Sequence, residues 1–280
     1  MQLELADETP ALPAASAKRA WARTLDRTLG PLIEIPAALL VVAEVVVLLT
    51  GVVSRYVFHD PLIWSDELAG ILFLWLAMLG AVVAFRRAEH MRMTALVAMA
   101  GPRLRTFLET LALVAGLVFV VLVLHPAYEF ASEEIFVQTP ALELNNAWRA
   151  AALPIGFALM LAIAVIRLLE TADWTMTLAA LATGAGLAAG LVALQPVLAT
   201  LGNLNLLVFF VLGVGMLVFS GVPIAFAFGL ATFGYIALTT NAPSMVVVGR
   251  MDEGMSHLIL LAVPLFVFLG LLIEMTGMAK

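Results

Sequence analysis

The 280-residue sequence has no cysteine, so disulfides and thiolate metal sites are excluded and cysteine usage leaves the redox compartment undetermined. Charge is scarce: 12% of residues are Asp, Glu, Lys or Arg, where a soluble domain carries about 25%. The net charge of -6, with no basic stripe, argues against nucleic acid as a partner. A glycine-rich phosphate loop followed by Lys-Ser/Thr is missing, so the chain itself hydrolyses no ATP. The first thirty residues, polar and rich in Ala and Pro, lack the apolar centre of a cleavable signal.

What fills the sequence is apolar. Hydrophobic residues make up 63% and the mean hydropathy is +1.08. A soluble core cannot absorb that much apolar surface, so lipid must cover the rest. A helix crosses about 30 Å of hydrocarbon with roughly 20 apolar residues. That ruler places spans near 31–53, 68–85, 106–125, 148–169, 175–200, 204–219, 222–239 and 257–276. The first is too long for a signal peptide's apolar region of about 7–15 residues and reads as a retained span. The sixth is short for a crossing, so it sits deep, thins the bilayer or is partly re-entrant. Open β structure would leave edge groups unbonded in lipid, so the fold class is all-α, multi-pass and transmembrane.

Lys and Arg set the expected orientation. Lys18, Arg19, Arg23 and Arg27 precede the first span, and Arg86, Arg87, Arg92, Arg103 and Arg105 fill the second loop, with Arg167 and Lys280 at later ends of the same face. Of the 14 basic residues only Arg55, Arg149 and Arg250 fall opposite. The first face, with the N-terminus, is therefore expected in the cytoplasm, and 126–146 outside. Trp64, Trp148 and Trp174 stand at span ends, where indoles prefer the interface, while Trp75 reads as a packing residue inside a span. Between 174 and 249 there is no charged residue at all. The expected organisation is a 1–30 tail, a four-helix unit at 31–173, a connecting helix at 174–203 and a second unit at 204–280. If the second unit must start outside, four crossings leave the chain on the wrong side and the connecting helix supplies the odd one.

The stretch Ser54-Arg55-Tyr56-Val57-Phe58, then Pro61-Leu62, Trp64 and Asp66-Glu67-Leu68-Ala69, resembles the small membrane subunit of tripartite ATP-independent periplasmic (TRAP) transporters. The resemblance continues through Trp75, Leu79-Gly80-Ala81, Arg86-Arg87 and His90. It resumes at Ser132, Gln138-Thr139-Pro140-Ala141-Leu142, Trp148 and Leu153-Pro154-Ile155-Gly156. Later, Ser220-Gly221-Val222-Pro223-Ile224-Ala225-Phe226-Ala227 and Leu260-Leu261-Ala262-Val263-Pro264-Leu265-Phe266, with Gly270, resemble the start of the large TRAP subunit. The whole is similar to a fusion of both. Asn145-Asn146 depart from the small-subunit pattern, and Leu271 stands where the large subunit often has Glu. The resemblance implies uptake of small organic acids, such as dicarboxylates or sugar acids, driven by an ion gradient. It also implies a periplasmic substrate-binding protein and the remainder of an elevator-type large subunit as partners, in a bacterial inner membrane. A sodium ion is expected for the complete transporter; no other cofactor, no metal site and no catalytic residue is expected in this chain. The substrate-binding residues are expected downstream of Lys280, which makes the chain look like a fragment or truncated product.

Within the chain, Glu44 sits near the middle of the first span, where an ionisable residue is a functional candidate by default. It reads either as a proton or cation relay or, with no second mid-span charge, as a protonated or hydrogen-bonded packing residue. Arg55, Tyr56, Trp64, Asp66 and Glu67 form an outward segment for which the resemblance implies contact with the large subunit or the binding protein; the other reading is that it only anchors and caps a helix through Ser65 or Asp66. His59, His90, His125 and His257 read as loop or interfacial residues rather than as haem ligands. Of Pro154, Pro196, Pro223 and Pro264, a tight turn after Gly221 explains Pro223, and Pro264 is the candidate for a functional bend. The rival readings are a non-transporting scaffold or subunit of a respiratory or assembly complex, and an intramembrane or haem-bearing enzyme.

Overall fold

The computed structural model describes residues 14–87, 89–93, 95–171 and 174–278. The tail to residue 13, Asp173 at the expected unit boundary and Lys280 lie outside the described residues, as do the side chains of Lys18, Arg19, Arg23 and Arg27.

In chain order the helices are α1 (Ala14–Val53), α2 (Ile63–Arg87), α3 (Ala95–Met99), α4 (Pro102–Glu133), α5 (Ala147–Ala150), α6 (Ala152–Thr171) and α7 (Trp174–Ala193). They continue with α8 (Gln195–Leu201), α9 (Leu204–Leu206), α10 (Val214–Phe219), α11 (Ile224–Thr239), α12 (Met245–Met255) and α13 (Ala262–Thr276). Wider π-type turns at Ser54–Phe58 and Leu207–Gly213 extend α1 and join α9 to α10. Among the described residues the only extended pairing is one bridge between Gln138 and Asn145. The protein is all-α. Six helical stretches are long and apolar enough to cross a membrane, and Leu204–Phe219 and Ile224–Thr239 are shorter apolar helices.

Each of the eight expected spans has its helix, but the boundaries move. α1 begins at Ala14 and α4 runs on to Glu133, well past the apolar ruler at both places. A helix satisfies its own backbone, so it continues into water wherever no residue stops it. The fifth span breaks at Leu194, where Gln195-Pro196 opens α8. α12, an eleven-residue helix between the last two apolar segments, was not anticipated.

Heptad spacing shapes the packing. Ile33, Ala37, Leu40, Glu44 and Gly51 form the covered stripe of α1, which lies along α2, while Leu32, Ile35, Leu39, Val42, Val46 and Leu49 face away from the protein. The core gathers Leu74, Met78, Val82 and Phe85 of α2, Phe119, Val123 and Ala127 of α4, and Leu153, Phe157, Met160 and Ala164 of α6. Phe226, Ala227 and Phe233 of α11 join it. The Phe119 ring meets Phe157, Phe226 and Phe233 at centroid distances of 6.2, 5.6 and 6.2 Å. α11 comes this close because Gly229 has no side chain: a Cβ there would stand 2.2 Å from Phe119 Cε2.

Polar ties sort the loops onto two ends. At one end Glu67 holds the 137–146 loop, and Arg149 reaches α12. At the other, Glu34 pairs with Arg86 and Arg87, and Ile224 N–H donates to Met91 O at 3.1 Å. This alternation matches the relative sidedness expected from the basic loops.

Candidate functional site

The four prolines singled out from sequence all sit where a helix accepts them. Pro154 and Pro264 are third in α6 and α13, Pro196 is second in α8, and Pro223 immediately precedes α11 after Gly221 at φ 87°. The first-turn N–H groups have no intrahelical partner, so proline there forfeits no bond. Pro264 thus marks the junction of a 3-10 turn (Leu258–Leu261) with α13 rather than a mid-helix break. The prolines inside helices are Pro31 and Pro36 in α1 and the buried Pro126 in α4.

Glu44 is fully buried in the α1 stripe, and both carboxylate oxygens lack a hydrogen-bond partner among the described residues. It lies on the α1 stripe that runs along α2, and neither oxygen has, among the described residues, the hydrogen bond that one reading allowed for.

The outward segment divides. Arg55 pairs with Asp66 at 3.1 Å, with both side chains about half exposed, an arrangement of little energetic weight. Tyr56 and Trp64 are exposed. Glu67 turns inward: its two oxygens accept from the backbone N–H groups of Ala141 (2.7 Å) and Leu142 (3.0 Å). It thereby joins two of the stretches that carried the resemblance, Asp66-Glu67 and Thr139-Pro140-Ala141-Leu142. The expected cap by Ser65 is not made. α2 already starts at Ile63, so Ser65 lies inside the first turn and its hydroxyl donates to Leu62 O at 2.7 Å.

Two junctions between the first four long helices and the helices from 204 onward escaped the sequence reading. At the Glu67 end, Arg149 grips Asp252 of α12 with two parallel bonds, Nη1 to Oδ1 at 3.1 Å and Nη2 to Oδ2 at 2.8 Å. Arg149 Nη1 also donates to Ser256 Oγ, and its Nε donates to Asn146 Oδ1 at 3.0 Å. Asn146 in turn donates to Glu134. Neighbouring Asn145 donates to Ile135 O and accepts from Ala147 N–H, so both residues that depart from the small-subunit pattern build this corner. Burial pushes the Asp252 carboxyl above its usual range, and the Arg149 guanidinium pulls it back. One signal was available: Asp252 follows Val248 by one turn, on the covered face of an amphipathic helix, where a charge needs a partner.

At the opposite end His90 packs between Phe85 (5.9 Å) and Phe226 (5.2 Å). Its Nε2 is buried without a partner among the described residues, and burial holds the imidazole below its usual pKa. The adjoining cavity of about 320 Å³ is lined by Phe85, His90, Arg92, Glu109, Arg167 and Phe226, among others. His59, His125 and His257 are exposed; His125 stands 3.5 Å from Glu129. Among the described residues no three His, Asp or Glu side chains gather as metal donors.

Known proteins align with this architecture in two consecutive pieces. Residues 44–173 match the family described as "Tripartite ATP-independent periplasmic transporters, DctQ component". Residues 206–280 match "Tripartite ATP-independent periplasmic transporter, DctM component". The sialic acid TRAP transporter permease protein SiaT of Haemophilus influenzae is 34% identical over 115 residues, 41% of this chain and 19% of that protein. The sialic acid TRAP transporter small permease protein SiaQ of Vibrio cholerae is 27% identical over 138 residues, 49% of this chain and 80% of that protein. The C4-dicarboxylate TRAP transporter small permease protein DctQ of Vibrio cholerae is 29% identical over 80 residues, 29% of this chain and 34% of that protein. The chain thus spans about a fifth of the length of SiaT. All three are transport proteins rather than enzymes.

Proposed function

Since the chain belongs to the TRAP transporter family, as a small permease component fused to large-component sequence, we propose that it serves ion-gradient-driven uptake of small organic acids. The observation that carries this reading is the pair of component matches, in order, on helices that pack together around Phe119. The substrates are dicarboxylates or sugar acids, in keeping with the sialic acid and C4-dicarboxylate names of the relatives. Sodium is the coupling ion, and a periplasmic binding protein delivers the substrate.

In this reading 31–173 is a static scaffold, 174–203 carries the chain back across the membrane, and 204–280 belongs to the large, substrate-moving unit. The scaffold role suits a unit with its own core of Leu, Phe and small residues. The concentration of Lys and Arg before the first span and in the 86–105 loop supports a cytoplasmic position for both. The end bearing Arg55, Tyr56, Trp64 and Asp66 then faces the periplasm, where the exposed aromatics are available to the binding protein. Orientation is checked in intact cells with an impermeant thiol reagent on this cysteine-free chain. Phe136→Cys should label and Met99→Cys should not; the reverse pattern would invert the topology.

Function is tested by deleting the gene in its host and following sodium-dependent uptake of labelled sialic acid, succinate and related acids. Loss of uptake of at least one acid, restored by re-expression, is expected. Unchanged uptake of the whole panel would favour the non-transporting scaffold instead.

A further inference from the structure

The Arg149 corner joins residues far apart in sequence and lies on both matched components, Arg149 in the first and Asp252 in the second. α12 is a short amphipathic helix set between two apolar helices. Val247, Val248 and Asp252 are covered against the four-helix unit, chiefly α4, while Arg250 and Glu253 pair with each other in the open. The Arg149 and Asp252 side chains are 17% and 9% exposed, unlike the open Arg55–Asp66 and Arg250–Glu253 pairs. The guanidinium donates to acceptors on Asp252, Ser256 and Asn146, and Asn146 itself donates to Glu134.

We propose that Arg149 is a positioning residue that locks α12, and through it the large-component helices, onto the periplasmic end of the small component. Its orientation toward the periplasm rests on the reading under Proposed function; the lock itself does not. A planar guanidinium holding both carboxylate oxygens fixes direction as well as distance, which a lysine ammonium would not do. Removing either partner leaves a largely desolvated charge unpaired, so the helix must lift toward water to hydrate it. Asn146 and Glu134 preset the arginine rotamer, so the small component presents a prepared fork to α12. At the opposite end the two components meet through the packing of His90 on Phe226 and through the single-point bond from Ile224 N–H to Met91 O at 3.1 Å. The two-oxygen grip of Arg149 on Asp252 fixes direction more closely than that contact does.

The test is hydrogen–deuterium exchange by mass spectrometry on the full 280-residue chain in lipid nanodiscs, where α12, as a helix at the membrane surface, reports by its amide exchange. Arg149→Lys and Asp252→Asn should each speed exchange across 245–255 by about tenfold or more. The swapped pair Arg149→Asp with Asp252→Arg should recover at least part of the protection. Exchange in 112–127 of α4 should stay unchanged, which separates release of α12 from failure to fold. Wild-type exchange in α12 of both single variants would overturn the lock. So would single variants that lose protection while the swap recovers none. Because the readout is exchange rather than uptake, failure of the transport reading leaves this result standing, and the reverse also holds.

Discussion

Two stretches with the same apolar character are treated differently by the fold. Pro102–Phe136 and Leu258–Thr276 both have a peak hydropathy of 2.7, yet 39% of the first window is buried and only 11% of the second. Ala147–Glu170 sides with the first at 39%, and Trp174–Ala193 sides with the second at 11%. Hydropathy therefore says that a helix belongs in a membrane but not what covers it. In the first group small and aromatic residues recur at three- and four-residue steps and interlock, as Leu153, Phe157, Met160 and Ala164 do. In α13 Leu, Val and Phe dominate and Pro264 is the one buried residue, while α7, rich in Ala and Gly, buries only Thr177 and Ala180. α11 and α12 connect the groups: Phe226, Phe233, Val247 and Val248 enter the shared core, and Gly229 admits the Phe119 ring.

The sharpest way to break this contrast is to truncate one large side chain on each side of it. Phe119→Ala removes a ring that touches three others and should cost about 3–5 kcal/mol, seen as a lowered unfolding temperature of the purified chain. Phe266→Ala, on the uncovered face of α13, should change stability by no more than about 0.5 kcal/mol. Comparable losses would mean that the two groups are equally self-supporting.

A smaller effect is expected from the loop that the first group carries. Glu67→Ala removes both acceptors for the Ala141 and Leu142 amides, and amide exchange across 137–146 should quicken by about tenfold. The helices on either side should be unaffected.

The His90 contact adds a dependence on pH. Because burial lowers its pKa in the folded chain, the neutral ring is the one that fits, and the unfolded chain takes up the proton first. Stability is then complete above about pH 6.5, the ordinary histidine value, and falls as pH drops through it toward the depressed folded-state value. Arg92 and Arg167, facing the same cavity, oppose a third positive charge; Glu109 and Glu170 partly offset them. The unfolding temperature should fall from pH 7 to pH 5 by more in the wild type than in His90→Leu. The smallest effect belongs to Asp66→Asn, which loses only an exposed pair and should stay within about 0.5 kcal/mol.

Much of this was legible in the sequence, for identifiable reasons. The eight apolar segments were readable because their length is set by the bilayer, and the two-ended arrangement because Lys and Arg mark one face. Helix ends were not, since nothing polar in 14–30 or 126–133 stops a helix that already satisfies its own backbone. α12 was missed because eleven amphipathic residues fall below any spanning length. The Arg149–Asp252 junction was out of reach as a pair, because nothing local links residues brought together only by the packing of α12 on α4. Glu67 was singled out as a candidate partner contact, whereas the bonds it makes to the 137–146 loop depended on where that loop folds back.

The central claim is that the first four long helices form a self-covered unit whose core α11 and α12 enter with buried side chains, whereas α7 and α13, although they touch it, leave most of their own surface uncovered. It is tested most directly by a bilayer-borne photoactivated carbene label on the intact chain in liposomes, read residue by residue by mass spectrometry. The account predicts dense labelling along 174–193 and 262–276 and on the Leu32, Leu39 and Val46 face of α1, with sparse labelling at 112–127 and 152–164. Uniform labelling of 112–127 and 262–276 would contradict it.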